Sequence, residues 1–182
     1  MNRDVKVINA EPFQGDTLLQ LDELKATVDL MKIINGDIEV KSVSLHRPQV
    51  KVYVKQDGTA NYDIALEGEE DAGAEVEEPV EEEPFSFKLS SLTITEGLIG
   101  YYDTSLATYT TMKGFNFKMS GAFNEEKMEI QSQTNIESFT VDFDGVKYLK
   151  KASLDYVADL ALYLNDEKYE FRENHLKLNE LA

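Results

Sequence analysis

The run from Val40 to Asp63, VKSVSLHRPQVKVYVKQDGTANYD, constrains this chain more than any other stretch. Val50, Val52 and Val54 alternate with Gln49, Lys51, Tyr53 and Lys55. A period of two gives an extended strand one apolar and one polar face. Pro48 has no N–H to give a ladder, so it belongs at the first residue of a strand or on an edge. Asp57-Gly58 supplies the positive φ that a tight turn needs. Just past the turn stands Asn61, whose side-chain amide is placed to bond back to the backbone and lock the corner, a structural role. The run reads as strand, corner, strand and turn.

The same pattern returns in looser form. Val40, Val43, Leu45, Pro48, Val50 and Val52 align with Leu89, Leu92, Ile94, Gly97, Ile99 and Tyr101, always 49 positions apart. Gly97 then takes the corner that Pro48 takes in the first copy. Two such copies point to a repeated β unit. The expected organisation is a first unit over 1–66, an acidic loop over 67–84, and a second unit over 85–182 that continues the same sheet.

Alternation also governs the rest of the chain. Residues 3–9 read as a strand. Leu24, Ala26, Val28 and Leu30 suit a strand to about Leu30, although Leu21, Leu24, Val28 and Met31 fit helical spacing. One helical turn over Met31 to Ile34, ended by Asn35-Gly36, is expected next. Phe115, Phe117 and Met119 share a face, and Asp144-Gly145 turns the chain before a long run from Val146 to Leu164. Asn165 to Lys168 reads as a hairpin turn. The sum is about ten consecutive antiparallel strands with almost no helix. Each strand offers one apolar face that something must cover. A second sheet would give a closed sandwich or barrel. Acyl chains lying in a curled, open sheet would do the same work. Periodicity leaves both open and favours the sandwich.

Charge narrows the partners. The net charge is −17, and ten acids with no base lie between Glu67 and Pro84, which leaves −7 elsewhere. Nucleic acid and anionic membrane surfaces need clustered Lys and Arg and are disfavoured. The acidic block has no aromatic residue and too little apolar surface to order itself, so a disordered loop is expected. Cys is absent, which removes disulfides, thiolate nucleophiles and Cys-based metal sites. The two histidines, His46 and His175, lack metal-ligand spacing. No nucleophile elbow, phosphate loop or dinucleotide fingerprint occurs. Asp142-Phe143-Asp144-Gly145 lacks the further ligands of a calcium loop and reads as a hairpin turn. No catalytic residue, metal site or cofactor is expected. No run of about 18 apolar residues occurs. Both ends stand in or beside patterned stretches, so a fragment of a longer protein is expected.

These motifs resemble the AsmA-like family of Gram-negative envelope proteins. The resemblance rests on Ile33-Ile34-Asn35-Gly36, on Ile38 through Val52, and on Asp57-Gly58-Thr59-Ala60-Asn61-Tyr62-Asp63. It continues in Leu92 to Asp103 and covers about Leu18 to Asp103. It implies structural roles for Gly36, Pro48, Asp57, Gly58, Asn61 and Gly97. It also implies a periplasmic body of repeated β units, held at the inner membrane by an anchor absent here. That body would form a groove with an apolar floor and would carry phospholipid in support of outer-membrane assembly, without enzymatic chemistry. The resemblance reverses the preference for a sandwich. Burial of about 15 methylenes at about 0.8 kcal/mol each reaches about 12 kcal/mol, enough for lipid to cover the floor. The floor candidates are Val50, Val52, Val54, Ile94, Ile99, Phe115, Phe117, Leu160 and Leu162, and the partners are phospholipid acyl chains and other envelope proteins. The alternative is a β-sandwich that serves as an adhesion or protein-interaction module.

Overall fold

The computed structural model describes residues 2–28, 39–63, 88–123, 127–163 and 168–179. The expected turn at Met31 to Ile34, Gly36, the acidic loop over 67–84 and the turn at 165–167 lie outside these residues. The strands are β1 (Asn2–Ile8), β2 (Thr17–Val28), β3 (Glu39–His46), β4 (Gln49–Val54), β5 (Lys88–Asp103), β6 (Thr108–Phe123), β7 (Lys127–Phe143), β8 (Val146–Tyr163) and β9 (Lys168–Asn179). They form one open sheet in the order β1-β2-β3-β5-β6-β7-β8-β9, with β4 paired to both β2 and β5. Among the described residues there is no second sheet and no helix.

The sheet is mixed, which corrects the wholly antiparallel expectation. β3 and β4 lie end to end along the 16-residue β5 and pair with it in parallel. Val40 faces Leu89, Leu45 faces Ile94, Val50 faces Ile99 and Val52 faces Tyr101. Every one of these pairs is 49 residues apart. The two sequence copies are therefore neighbours in space and in register. A parallel pair needs a long return connection, and the chain between Val54 and Lys88 supplies it. Tyr53 and Tyr102, another pair at this offset, stack with ring centroids 5.1 Å apart.

The corner is duplicated too, one residue before its expected place. Arg47 and Glu96 carry the positive φ, at 49° and 55°. Gly97 has an ordinary backbone and is buried. A Cβ there would stand 3.2 Å from the Phe115 carbonyl oxygen, so close approach of β6 is what its missing side chain permits. The Arg47 amide donates to the Thr95 carbonyl at 2.8 Å, and the Leu98 amide donates to the Pro48 carbonyl at 2.8 Å.

These corners belong to a crease that crosses the sheet. Asp4 on β1, Arg47, Glu96, Gly114 on β6 and Lys151 on β8 all have positive φ. Asp4 stands between the pairs Arg3–Glu23 and Val5–Leu21, beside Asp22, which forms an ion pair with Arg47 at 2.7 Å. The Glu96 amide donates to Asn116 Oδ1 on β6 at 3.0 Å. Register shifts on β5–β6 and β7–β8 fall on the same line. A bulge bends its strand and adds twist. The β5–β6 and β7–β8 irregularities, in line with the positive-φ residues, curve the sheet at one level.

Candidate functional site

Residues paired across a ladder share a face of the sheet. Val50 pairs with Ile99, and Ile99 with Met112. Ile94 pairs with Phe117, and Gly97 with Phe115. The extra residue at Glu96 keeps Ile94 and Gly97 on one side. Leu160 and Leu162 pair with Ile130 and Met128, which pair with Gly121 and Phe123, in phase with Phe117. Val52 and Val54 follow Val50 by alternation. All nine floor candidates thus stand on the same face of the one sheet. Val54 is buried and the other eight are half-buried. Among the described residues, Leu21 on β2 is the large side chain that is fully buried. The remaining buried apolar residues, such as Ala152, Ala158 and Ile136, are small or lie within the middle strands. An apolar face this extensive with so little full burial is a surface rather than a packed interior.

The opposite face is polar. Lys118, Ser120, Gln131, Gln133 and Asp159 alternate with the apolar set and line a hollow of about 260 Å³, and Ser120, Gln131 and Asp159 also line one of about 350 Å³. A further cavity of about 530 Å³ is bordered by Ile94 and Phe117, and by Thr134 and Tyr156 in the same row. Their polar-face neighbours, among them Thr93, Gln133 and Asp155, border it as well. This cavity takes its walls from both faces, so what marks the apolar face is its chemistry and extent.

The residues implied as structural make backbone contacts. Asn61 is 4% exposed. The Tyr53 amide donates to Asn61 Oδ1 at 2.9 Å, and Asn61 Nδ2 donates to the Lys51 carbonyl at 2.8 Å. Asn61 also reaches Asn9 Oδ1 at 3.3 Å, which ties the first hairpin to this turn. Asp57 accepts the Thr59 amide at 2.9 Å, and Gly58 has φ +86°. The Thr59 contacts hold the exposed Asp57 carboxyl below its usual pKa. Pro48 is buried at the corner. Asp144 and Gly145, with φ of 51° and 74°, make the hairpin between β7 and β8.

One polar residue carries more than its sequence context announces. Asp103 is 3% exposed at the end of β5. Its carboxylate accepts the Ser105 hydroxyl at 2.6 Å, the Leu106 amide at 2.9 Å and the Tyr101 hydroxyl at 2.8 Å. The Ser105 hydroxyl, followed by the Leu106 amide and the Tyr101 hydroxyl, holds its pKa below the ordinary value. The tight spacing of Asp103, Ser105 and Leu106 was the available signal. His46 lies near Thr95 Oγ1 at 3.0 Å, and His175 is exposed on β9. Among the described residues no group of three or more His, Asp or Glu could hold a metal ion, and no helix is long and apolar enough to cross a membrane. No protein-family model, no curated protein and no solved structure matches the chain.

Proposed function

We propose that this chain is a non-enzymatic lipid-binding module of the AsmA-like kind, whose open apolar face takes up phospholipid acyl chains. The observation that carries this reading is the gathering of all nine floor candidates on one uncovered face. Such a face has a cost in water, and acyl chains relieve it without directional chemistry. The parallel, in-register stacking of the two copies supports a body of repeated β units. A periplasmic setting, attachment to the inner membrane and a part in outer-membrane lipid transport belong to this same proposal.

The test is native mass spectrometry of the purified chain, followed by solvent extraction and lipid analysis. Stoichiometric phospholipid is the expected result. Val52→Asp places a charge on the floor and is expected to abolish lipid retention with circular dichroism unchanged. A folded Val52→Asp protein that still retains lipid would refute the reading. Loss of the fold instead would identify the position as packed core.

A further inference from the structure

Among the described residues β9 is an edge strand of the sheet, and it is unusually apolar. Tyr169, Phe171, Leu176 and Leu178 are 69%, 67%, 64% and 46% exposed. They sit on the floor side, because they pair with Leu162, Leu160, Tyr156 and Leu154. The outer backbone groups of an edge strand are unpaired and template another strand. β9 carries one irregularity. Asp159 faces Glu173 while Leu160 faces Phe171, so Arg172 is an inserted residue.

We infer that β9 pairs antiparallel with β9 of a second copy of this chain, about a two-fold axis through Asn174. In this register each strand's inserted Arg172 falls opposite His175 of the other, and floor side meets floor side throughout. Tyr169 then faces Leu178, and Phe171 faces Leu176, each twice. On the polar side Glu170 faces Lys177, and Glu173 faces His175. Within its own chain Glu173 stands opposite another acid, Asp159. Sliding the partner by two residues one way sets Asn174 against Leu176. Sliding it the other way sets Glu173 against Glu173 of the second copy and Asn174 against Phe171, and like charges directly opposite are destabilising. The Asn174 register alone matches apolar with apolar and acid with base. It produces a self-complementary contact and one continuous sheet whose apolar faces join. The pairing stands whether or not acyl chains occupy that face.

The chain has no cysteine, so Asn174→Cys creates a unique thiol. Directly opposed residues of an antiparallel pair have Cα atoms about 4.5–5.5 Å apart, within disulfide reach. Mild oxidation of Asn174→Cys is expected to give a covalent dimer far faster than oxidation of Leu106→Cys, another exposed position. Equal rates would overturn the inference. Sedimentation of the unmodified protein is expected to show a dimer. Lys177→Glu sets two acids face to face and is expected to shift the dissociation constant at least tenfold toward monomer. Adding Glu170→Lys to that variant is expected to restore the dimer. A monomeric parent protein, or a dimer indifferent to Lys177→Glu, would also overturn it.

Discussion

Asn61 shows how one side chain can hold a corner. Its amide satisfies a backbone donor on Tyr53 and a backbone acceptor on Lys51, both part of the β4 region. Asn61→Leu keeps the volume and removes both partners. Leaving a buried backbone group unpaired costs about 1–3 kcal/mol, and these part-buried groups fall at the low end. Urea unfolding is expected to show a loss of that size, with an unchanged slope against denaturant. Asp103 acts at the far end of β5 through charge. Its folded pKa is lowered, so its contribution is fully present above the unfolded carboxylate value of about 3.9. That contribution is lost as pH falls through the lowered folded value. Thermal melts from neutral pH into acid are expected to show stability declining in this window. Asp103→Asn is expected to be less stable at neutral pH and to decline less steeply in acid.

At the scale of the element, the inserted residues matter more than strand propensity. Alternation predicts that a strand exists but not where it bends, because one added residue leaves the pattern on either side intact. Gly114 is the clearest case. It has φ +61°, and a Cβ there would meet the carboxyl end of Glu137. That end is flexible and exposed, so the backbone sets the cost. The left-handed region costs a non-glycine residue roughly 1–2 kcal/mol. Gly114→Ala is expected to lower the denaturation midpoint by a corresponding amount. Arg47 and Glu96 were hidden for a related reason. Glycine and proline sit beside them in sequence and drew the assignment of the corner to Gly97. The structure places the left-handed residue one position earlier, where the parallel neighbours exchange backbone bonds.

For the whole molecule, the decisive event is the return of the chain after β4. Val54 lies beside Asp103, whereas β5 begins at Lys88, beside Glu39. The connection must recover 15 residue steps of β5 (103 − 88), or about 50 Å at about 3.3 Å per step. That distance takes about 15 fully extended residues. Deletion of 67–74 is therefore expected to leave the fold intact, as read by circular dichroism and melting temperature. Residues 55–63 fold back into the turn, so deletion of 67–84 leaves only 64–66 and 85–87 to span that distance and is expected to abolish cooperative unfolding. Neutralising the same acids by Glu→Gln substitution is expected to leave the melting temperature nearly unchanged, because length rather than charge makes the connection possible.

Local pattern was enough to establish that this chain is nearly all strand, that each strand has one apolar side, and that two copies of a unit lie 49 residues apart. Those properties follow from side-chain period and turn chemistry, which act over a few residues. Asn61, Asp57 and Gly58 were legible for the same reason, since their bonds to the backbone close within ten positions. Tertiary structure decided that the copies pair in parallel and in register, that the positive-φ residues line up into a crease, and that the sheet stays open. Each of these depends on which strand edge meets which, and ladder hydrogen bonds are alike at every edge. Only the full set of pairings brings Val50, Ile94, Phe117 and Leu160 onto one face.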